Sequence, residues 1–287
     1  MTPIADPCDE IVQGFLLIDI SNFPSELNCP PINMIGCIPS VLTNVQELMP
    51  CLIEVKSLSQ TQLEEIKDIF RQQAADQHPF AICAWLDSDL GVTELAEHIA
   101  GSLYGRGPAG TDIFFRYYDP RVFSTIMNIF TKEQREALLG PIKAWRFAWC
   151  HNWWLVTGGV SEINPLTGFQ TAWPIDRQWP GILHSRVLNR VLIRLGLEKE
   201  LSPEACLRCQ KLAVAYLEHD ALPLGLADEY EKIEFIFFCV KYGAEFLNHS
   251  KLLSGWGKLQ RGEISWPELQ LRLKKEDFEQ LNVSKIF

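Results

Sequence analysis

Short apolar runs and helical periodicities alternate along the first half of this chain. Residues 15–21, Phe-Leu-Leu-Ile-Asp-Ile-Ser, form an apolar run of the length of a buried strand. The Pro- and Asn-rich stretch 22–39 reads as loop. A second strand is predicted at 51–57. From 59 to 77 the period becomes helical, with Leu63, Ile66, Ile69 and Phe70 on one face. Ser59 and Thr61 can each cap that helix, with Gln62 and Glu64 three residues on. A third strand follows at 80–86. A helix at 93–104 carries Leu95, Ile99 and Leu103 and is stopped by Gly105-Arg106-Gly107-Pro108. A fourth strand, 111–118, runs into two short helices at 119–130 and 131–139, and Gly140-Pro141 ends the second. Residues 142–147 and 149–157 read as a final pair of strands. This alternation predicts an α/β or α+β lobe over residues 1–157, with a mixed sheet covered by helices.

Residues 158–182 break the pattern. Gly158-Gly159, Pro165, Gly168, Pro174, Pro180 and Gly181 punctuate them, with Phe169, Trp173 and Trp179 between. We read this segment as a Trp/Pro-rich connector. Beyond it the period is helical, which predicts an all-α lobe over 183–287. Val187, Leu188, Val191, Leu192 and Leu195 share one face of a helix, and Arg186, Arg190 and Arg194 another. Further helices are predicted at 203–219, 227–248 and 267–281, the first and last opened by Ser202-Pro203 and by Ser265-Trp266-Pro267-Glu268.

Charge narrows the partners. The formal net charge is −10 over 287 residues. Residues 1–160 hold 19 acids against 10 bases, and 161–287 hold 17 against 16. An acidic first half disfavours nucleic acid, whose affinity comes from clustered Lys and Arg. Nine cysteines, several in apolar runs such as Phe-Ala-Ile-Cys83-Ala-Trp, behave as small buried hydrophobes and point to a reducing compartment. The first residues lack the basic and apolar regions of a signal peptide, and no apolar run approaches the ~20 residues of a membrane span. A cytoplasmic protein without a membrane partner is expected.

Motifs that carry chemistry are missing. The six histidines show no ligand spacing, and there is no nucleophile elbow, Walker loop or dinucleotide fingerprint. Cys206-x-x-Cys209 lies inside an amphipathic helix with no second ligand pair, so core packing is the expected role. No catalytic, metal-binding or cofactor-binding residue is assigned. What stands out is the joint at Asp119-Pro120-Arg121. Asp is a favoured N-cap and Pro suits the next position. Arg116 and Arg121 on either side predict a network locking strand to helix. The Trp residues around 149–179 read as core filler or, for Phe169, Trp173 and Trp179, as a groove for a peptide segment.

A family likeness rests on this joint. Phe115-Arg116-Tyr117-Tyr118-Asp119-Pro120-Arg121-Val122, then Gln134, then Leu139-Gly140-Pro141-Ile142 and Trp145, resemble the hallmark of a bacterial domain-of-unknown-function family. Its members are adaptor chaperones for type VI secretion effectors. The strand ending in Asp19, the segment Met49-Pro50-Cys51-Leu52-Ile53 and the helix with Leu95-x-x-His98-Ile99 follow the same order of elements. The likeness spans roughly 15–148. It departs after His98, where Ile99-Ala100 stand in place of the family's frequent Arg and the nearest Arg is Arg106.

The resemblance implies a non-enzymatic protein without cofactors. It would bind the N-terminal part of a secreted toxin effector and help load it onto the spike protein VgrG or a PAAR tip. Arg116, Tyr118, Asp119, Pro120, Arg121, Gly140, Pro141 and Trp145 would be mainly structural, with a secondary docking role. Phe169, Trp173 and Trp179, at a cleft between the lobes, are the expected effector-binding residues. The alternative is an enzyme whose Arg116/Asp119/Arg121 cluster holds an anionic substrate.

Overall fold

Seven strands build the main sheet of the first half: β1 (Thr2–Ile4), β2 (Phe15–Ile18), β3 (Ile35–Gly36), β4 (Cys51–Glu54), β5 (Ile82–Ser88), β8 (Ile142–Trp149) and β9 (Asn152–Thr157). Two more, β6 (Tyr104–Arg106) and β7 (Asp112–Phe114), form a separate hairpin. The structure is a computed structural model that describes residues 1–24, 31–76, 80–158, 171–281 and 283. It divides into two compact units, Met1–Trp179 and Pro180–Phe287.

The main sheet has the order β1-β9-β8-β5-β2-β4-β3. Every described pairing in it is antiparallel. The predicted mixed sheet is therefore corrected to an antiparallel one, and the first unit is α+β. The reason is topological. Helix α1 (Gln60–Asp76) carries the chain from β4 to β5, but β2 lies between those strands and pairs antiparallel with both. A strand–helix–strand pattern is thus present without adjacent parallel strands. Because β2 is central, its four residues are all buried, which is why its sequence is an unbroken apolar run rather than an alternation.

The helices follow their sequence signals closely. Ser59 caps α1: its backbone N–H donates to Gln62 Oε1 at 3.0 Å, and Gln62 N–H donates back to Ser59 Oγ at 3.3 Å. Ile66 and Phe70 on its buried side face the sheet, and Phe70 meets Trp153 of β9 edge-on at 4.7 Å. Helix α2 (Val92–Gly101) is shorter than the predicted 93–104. Tyr104–Arg106 instead pairs with Asp112–Phe114 as an antiparallel hairpin. Two glycines permit this. A Cβ on Gly105 would lie 2.7 Å from the Trp173 ring, and one on Gly107 would lie 2.0 Å from Ile113 Cδ1. Helices α3 (Pro120–Ile129) and α4 (Lys132–Leu139) follow and lead into β8.

After the short helix α5 (Trp179–Leu183), the second unit contains α6 (Ser185–Glu198), α7 (Pro203–Tyr216) and α8 (Glu229–Tyr242). Short helical turns continue to Gln280. Val187, Leu188, Val191, Leu192 and Leu195 are all buried, as their spacing requires. Cys206 and Cys209 are both fully buried in α7. Helix α8 is buried on nearly every side, so its sequence lacks a single apolar stripe. Its charged Glu234 pairs with Arg194, whose guanidinium lies 4.1 Å above the Phe237 ring. The predicted helix at 227–248 is broken at Gly243, which has φ +62°. Among the described residues, no helix is long and apolar enough to cross a membrane.

The β8–β9 turn is strained. Cys150 and His151 occupy it with φ of 53° and 57°, a conformation that favours Asn-Gly in two-residue hairpins. Asn152 Nδ2 donates to the Cys150 carbonyl at 2.6 Å and holds the turn. His151 is exposed, so relieving its backbone removes no packing. His151→Gly is expected to raise stability by about 0.5–1 kcal/mol, the left-handed penalty less the glycine entropy cost. An increase in urea midpoint at unchanged slope checks this. An unchanged or lower midpoint would show that the turn is not strained.

Candidate functional site

The joint between β7 and α3 is held by two carboxylate–guanidinium pairs. Asp119 caps α3 as expected: its Oδ1 accepts from Arg121 N–H at 2.9 Å. The same carboxylate takes a two-point contact from the Arg121 side chain, Nε at 2.9 Å and Nη2 at 2.5 Å. This fork geometry is the strongest form of such a pair. Arg116 does not share Asp119. It reaches instead to Asp19, at the end of β2, with Nη2 donating to Oδ2 at 2.5 Å. Asp19 is 97 residues away in sequence and its side chain is only 4% exposed.

Asp19 is saturated with donors. Besides Arg116 it accepts from Ser21 N–H at 3.2 Å, Ser21 Oγ at 2.6 Å and Asn22 Nδ2 at 2.9 Å. The network closes around buried neutral groups. Tyr118 is buried, with the Arg116 guanidinium 5.5 Å from its ring centre. Burial pushes the Tyr118 hydroxyl and the Cys83 thiol up, so both stay protonated. Pro120, at the first helical position, is buried as well.

Removing Asp19 leaves Arg116 partly solvated but strips the partners from Ser21 and Asn22. Asp19→Ala is expected to lower stability by about 2–3 kcal/mol, less than for a fully buried pair because Arg116 reaches water. Chemical denaturation measures it, and a loss below about 0.5 kcal/mol would mean that this carboxylate does not hold the joint.

A second contact joins two stretches that are distant in sequence. His98 on α2 packs against the turn after α4. Its Nε2 lies 3.1 Å from the Leu138 carbonyl, and because a carbonyl only accepts, Nε2 carries the proton. Gly140 has φ +50°, and a Cβ there would fall 2.4 Å from His98 Cε1. Pro141 continues the turn, and its carbonyl accepts from Ser88 Oγ at 3.1 Å. Trp145 on β8 is buried and stacked on Phe123 at 4.3 Å. Gly140, Pro141 and Trp145 therefore serve the packing of α2 and α3 on the sheet.

The third cluster involves the predicted connector. Gln134 of α4 and Gln178 exchange hydrogen bonds between their side-chain amides: each Nε2 donates to the other's Oε1, at 3.0 Å and 2.8 Å. Both are buried, and each also reaches a backbone carbonyl: Gln134 that of Trp173 at 3.1 Å, Gln178 that of Ile129 at 3.2 Å. Trp173 Nε1 donates to the Arg106 carbonyl at 2.6 Å. Phe115, Trp173 and Trp179 form a triangle of rings with centres 5.5–5.8 Å apart. Trp179 is only 2% exposed, so its ring is packing rather than binding surface. Trp173 is half-buried over Gly105. Phe169 lies outside the described residues. Residues 171–179 thus belong with the first unit, whose boundary falls at Trp179.

Residues 39–137 match a family model. It is described as Domain of unknown function (DUF4123). The match covers about a third of the chain and contains α1 to α3, the β6–β7 hairpin, both arginines of the joint and most of α4. Asp19, Gly140, Trp145 and Gln178 lie outside the match but complete its internal contacts. No curated protein and no solved structure matches this chain. Among the described residues, no group of three or more His, Cys, Asp or Glu side chains is placed to hold a metal ion.

Asp19 is the residue whose contact the sequence reading missed. The only signal for it was its place at the end of the first buried strand in the family-like order of elements.

His98 gives the first unit a pH dependence. Burial lowers its pKa below the ordinary histidine value, against a smaller opposing effect from backbone hydrogen bonds. A depressed base means that the unfolded chain binds the extra proton first. Stability is therefore intact above about pH 6.5 and falls as pH drops through that value toward the folded pKa. Replacing His98 by Gln should flatten this part of the stability profile. An unaltered slope below about pH 6.5 would assign the loss to other groups.

Proposed function

We propose that this chain is an adaptor chaperone of the type VI secretion system. It binds a toxin effector in the bacterial cytoplasm, through the effector's N-terminal region, and helps load it onto a VgrG or PAAR spike. The observation that carries this reading is the match of residues 39–137 to DUF4123, a family associated with type VI effector adaptors. The match includes the Arg116–Arg121 motif that carries the resemblance.

The geometry of the joint supports a role without catalysis. Both arginines are engaged by internal carboxylates, Arg121 through the two-point face that would otherwise grip a substrate carboxylate or phosphate. An anionic substrate at Arg116, Asp119 and Arg121 would have to displace Asp119 from a helix cap. Cys83 and Tyr118 beside it are held protonated by burial, the opposite of what a nucleophile or base requires. A scaffold that presents a surface to a partner needs this kind of fixed, saturated core.

Capture from the native host tests the reading. The tagged full chain, purified from cells expressing a type VI apparatus, should bring down a secreted toxin in stoichiometric amount, alone or with a spike protein. Failure to recover either partner from cells shown to express both would overturn the proposal.

A further inference from the structure

The second unit contains a cavity of about 270 Å³ lined by His219, Asp220, Leu224, Leu247, Leu253 and Trp256, among others. It is smaller than the roughly 300–1,000 Å³ of small-molecule and cofactor sites, and of a size for one or two side chains. The backbone beside it is unusual. Helix α7 runs into a π-helical turn, Leu217–Ala221, in which Leu222 N–H donates to the Leu217 carbonyl at 3.0 Å. Such turns concentrate at functional positions, because the inserted residue shifts side chains out of the helical register. Here the turn carries Glu218, His219 and Asp220.

Most of the wall is apolar, and Leu253, at its edge, is 54% exposed. The polar part of the lining has one carboxylate, that of Asp220. In the same unit Glu229 pairs with Arg186 and Arg190, Glu234 with Arg194, Glu198 with Lys241, and Asp277 with Lys251. Among the described residues no lysine or arginine pairs with Asp220. Its carboxyl is pushed up by desolvation, which the neighbouring His219 only partly offsets. A desolvated carboxylate beside an apolar wall is complementary to a group with a cationic head and an apolar stem.

We propose that this cavity receives an arginine or lysine side chain, flanked by an apolar residue, from a segment of a partner protein. The cation pairs with Asp220, and the apolar neighbour packs against Leu253 and the Leu224–Leu247 wall. The inference does not depend on the adaptor reading, since any partner presenting such a segment qualifies.

The test uses the full chain and the dipeptide probe N-acetyl-Leu-Arg-amide. Its counterpart contains citrulline, which keeps the shape of arginine and removes the charge. Binding is followed through the indole N–H resonance of Trp256, whose Nε1 donates to the Leu247 carbonyl at 3.0 Å beside the cavity. A saturable shift is expected with the arginine probe, at least about tenfold weaker with citrulline, the scale of one charge-assisted hydrogen bond. Asp220→Asn should abolish that tenfold difference, and Leu253→Ser should weaken both probes. Equal affinity for arginine and citrulline on the native protein would overturn the charge assignment. Absence of any saturable shift at Trp256 would overturn the site. If Asp220→Asn disturbs the fold, the arginine–citrulline comparison on the unaltered protein decides alone.

Discussion

The bond between Asp19 and Arg116 is the constraint on which the first unit depends. Asp19 ends the central strand β2, and its own N–H donates to the Ala81 carbonyl just before β5. Arg116 lies between β7 and the cap of α3. One carboxylate therefore fixes the middle of the sheet to the start of the helix that covers it. Once that distance is set, Phe123 of α3 falls on Trp145 and Phe147 of β8. Phe115, one residue before Arg116, falls against Trp173 and Trp179. The aromatic clusters bury several of the largest side chains of this unit. They are non-directional, however, and the polar contact is what selects one register among several ways to pack them.

Much of this was legible in the chain, and what was not has a physical cause. Local signals were informative because their chemistry is local: the Asp119 cap, the Ser59 box, the Gly140-Pro141 stop and the apolar face of α6 each involve residues within a few positions. The partner of Arg116 was not local. A carboxylate 97 residues away leaves no trace in spacing, so the sequence supported only a network around Asp119. Sheet polarity failed for the same reason, since nothing in a strand–helix–strand pattern reports that β2 lies between β4 and β5. The hairpin at Tyr104–Arg106 was hidden by its glycines. They read as a helix stop, whereas their role is to let Trp173 and Ile113 approach the backbone.

The connector shows how composition misleads about exposure. Trp173 and Trp179 sit among Pro and Gly residues, which reads as a loop with aromatic anchors. Yet Gln178 lies between them and forms a buried amide pair with Gln134, and a paired primary amide in a low-dielectric core is costly to open. That pair draws both tryptophans onto the first unit. Trp179 is consumed in the core, and only part of Trp173 remains at the surface.

A signature built from internal contacts identifies a fold more readily than it locates a function. The motif side chains from Arg116 to Trp145 are occupied in pairing, capping, turning or packing within the first unit. Substituting them would remove activity by removing the structure, so loss of function at these positions carries no information about where a partner binds. A binding surface is distinguished by the opposite condition, a polar group that folding leaves without its complement. In the helical unit Asp220 meets that condition: it is desolvated, it lines a cavity, and among the described residues no lysine or arginine balances it. The two units thus divide the physics. The first commits its joint charges to its own architecture, and in the second Asp220 faces a cavity without a lysine or arginine among the described residues.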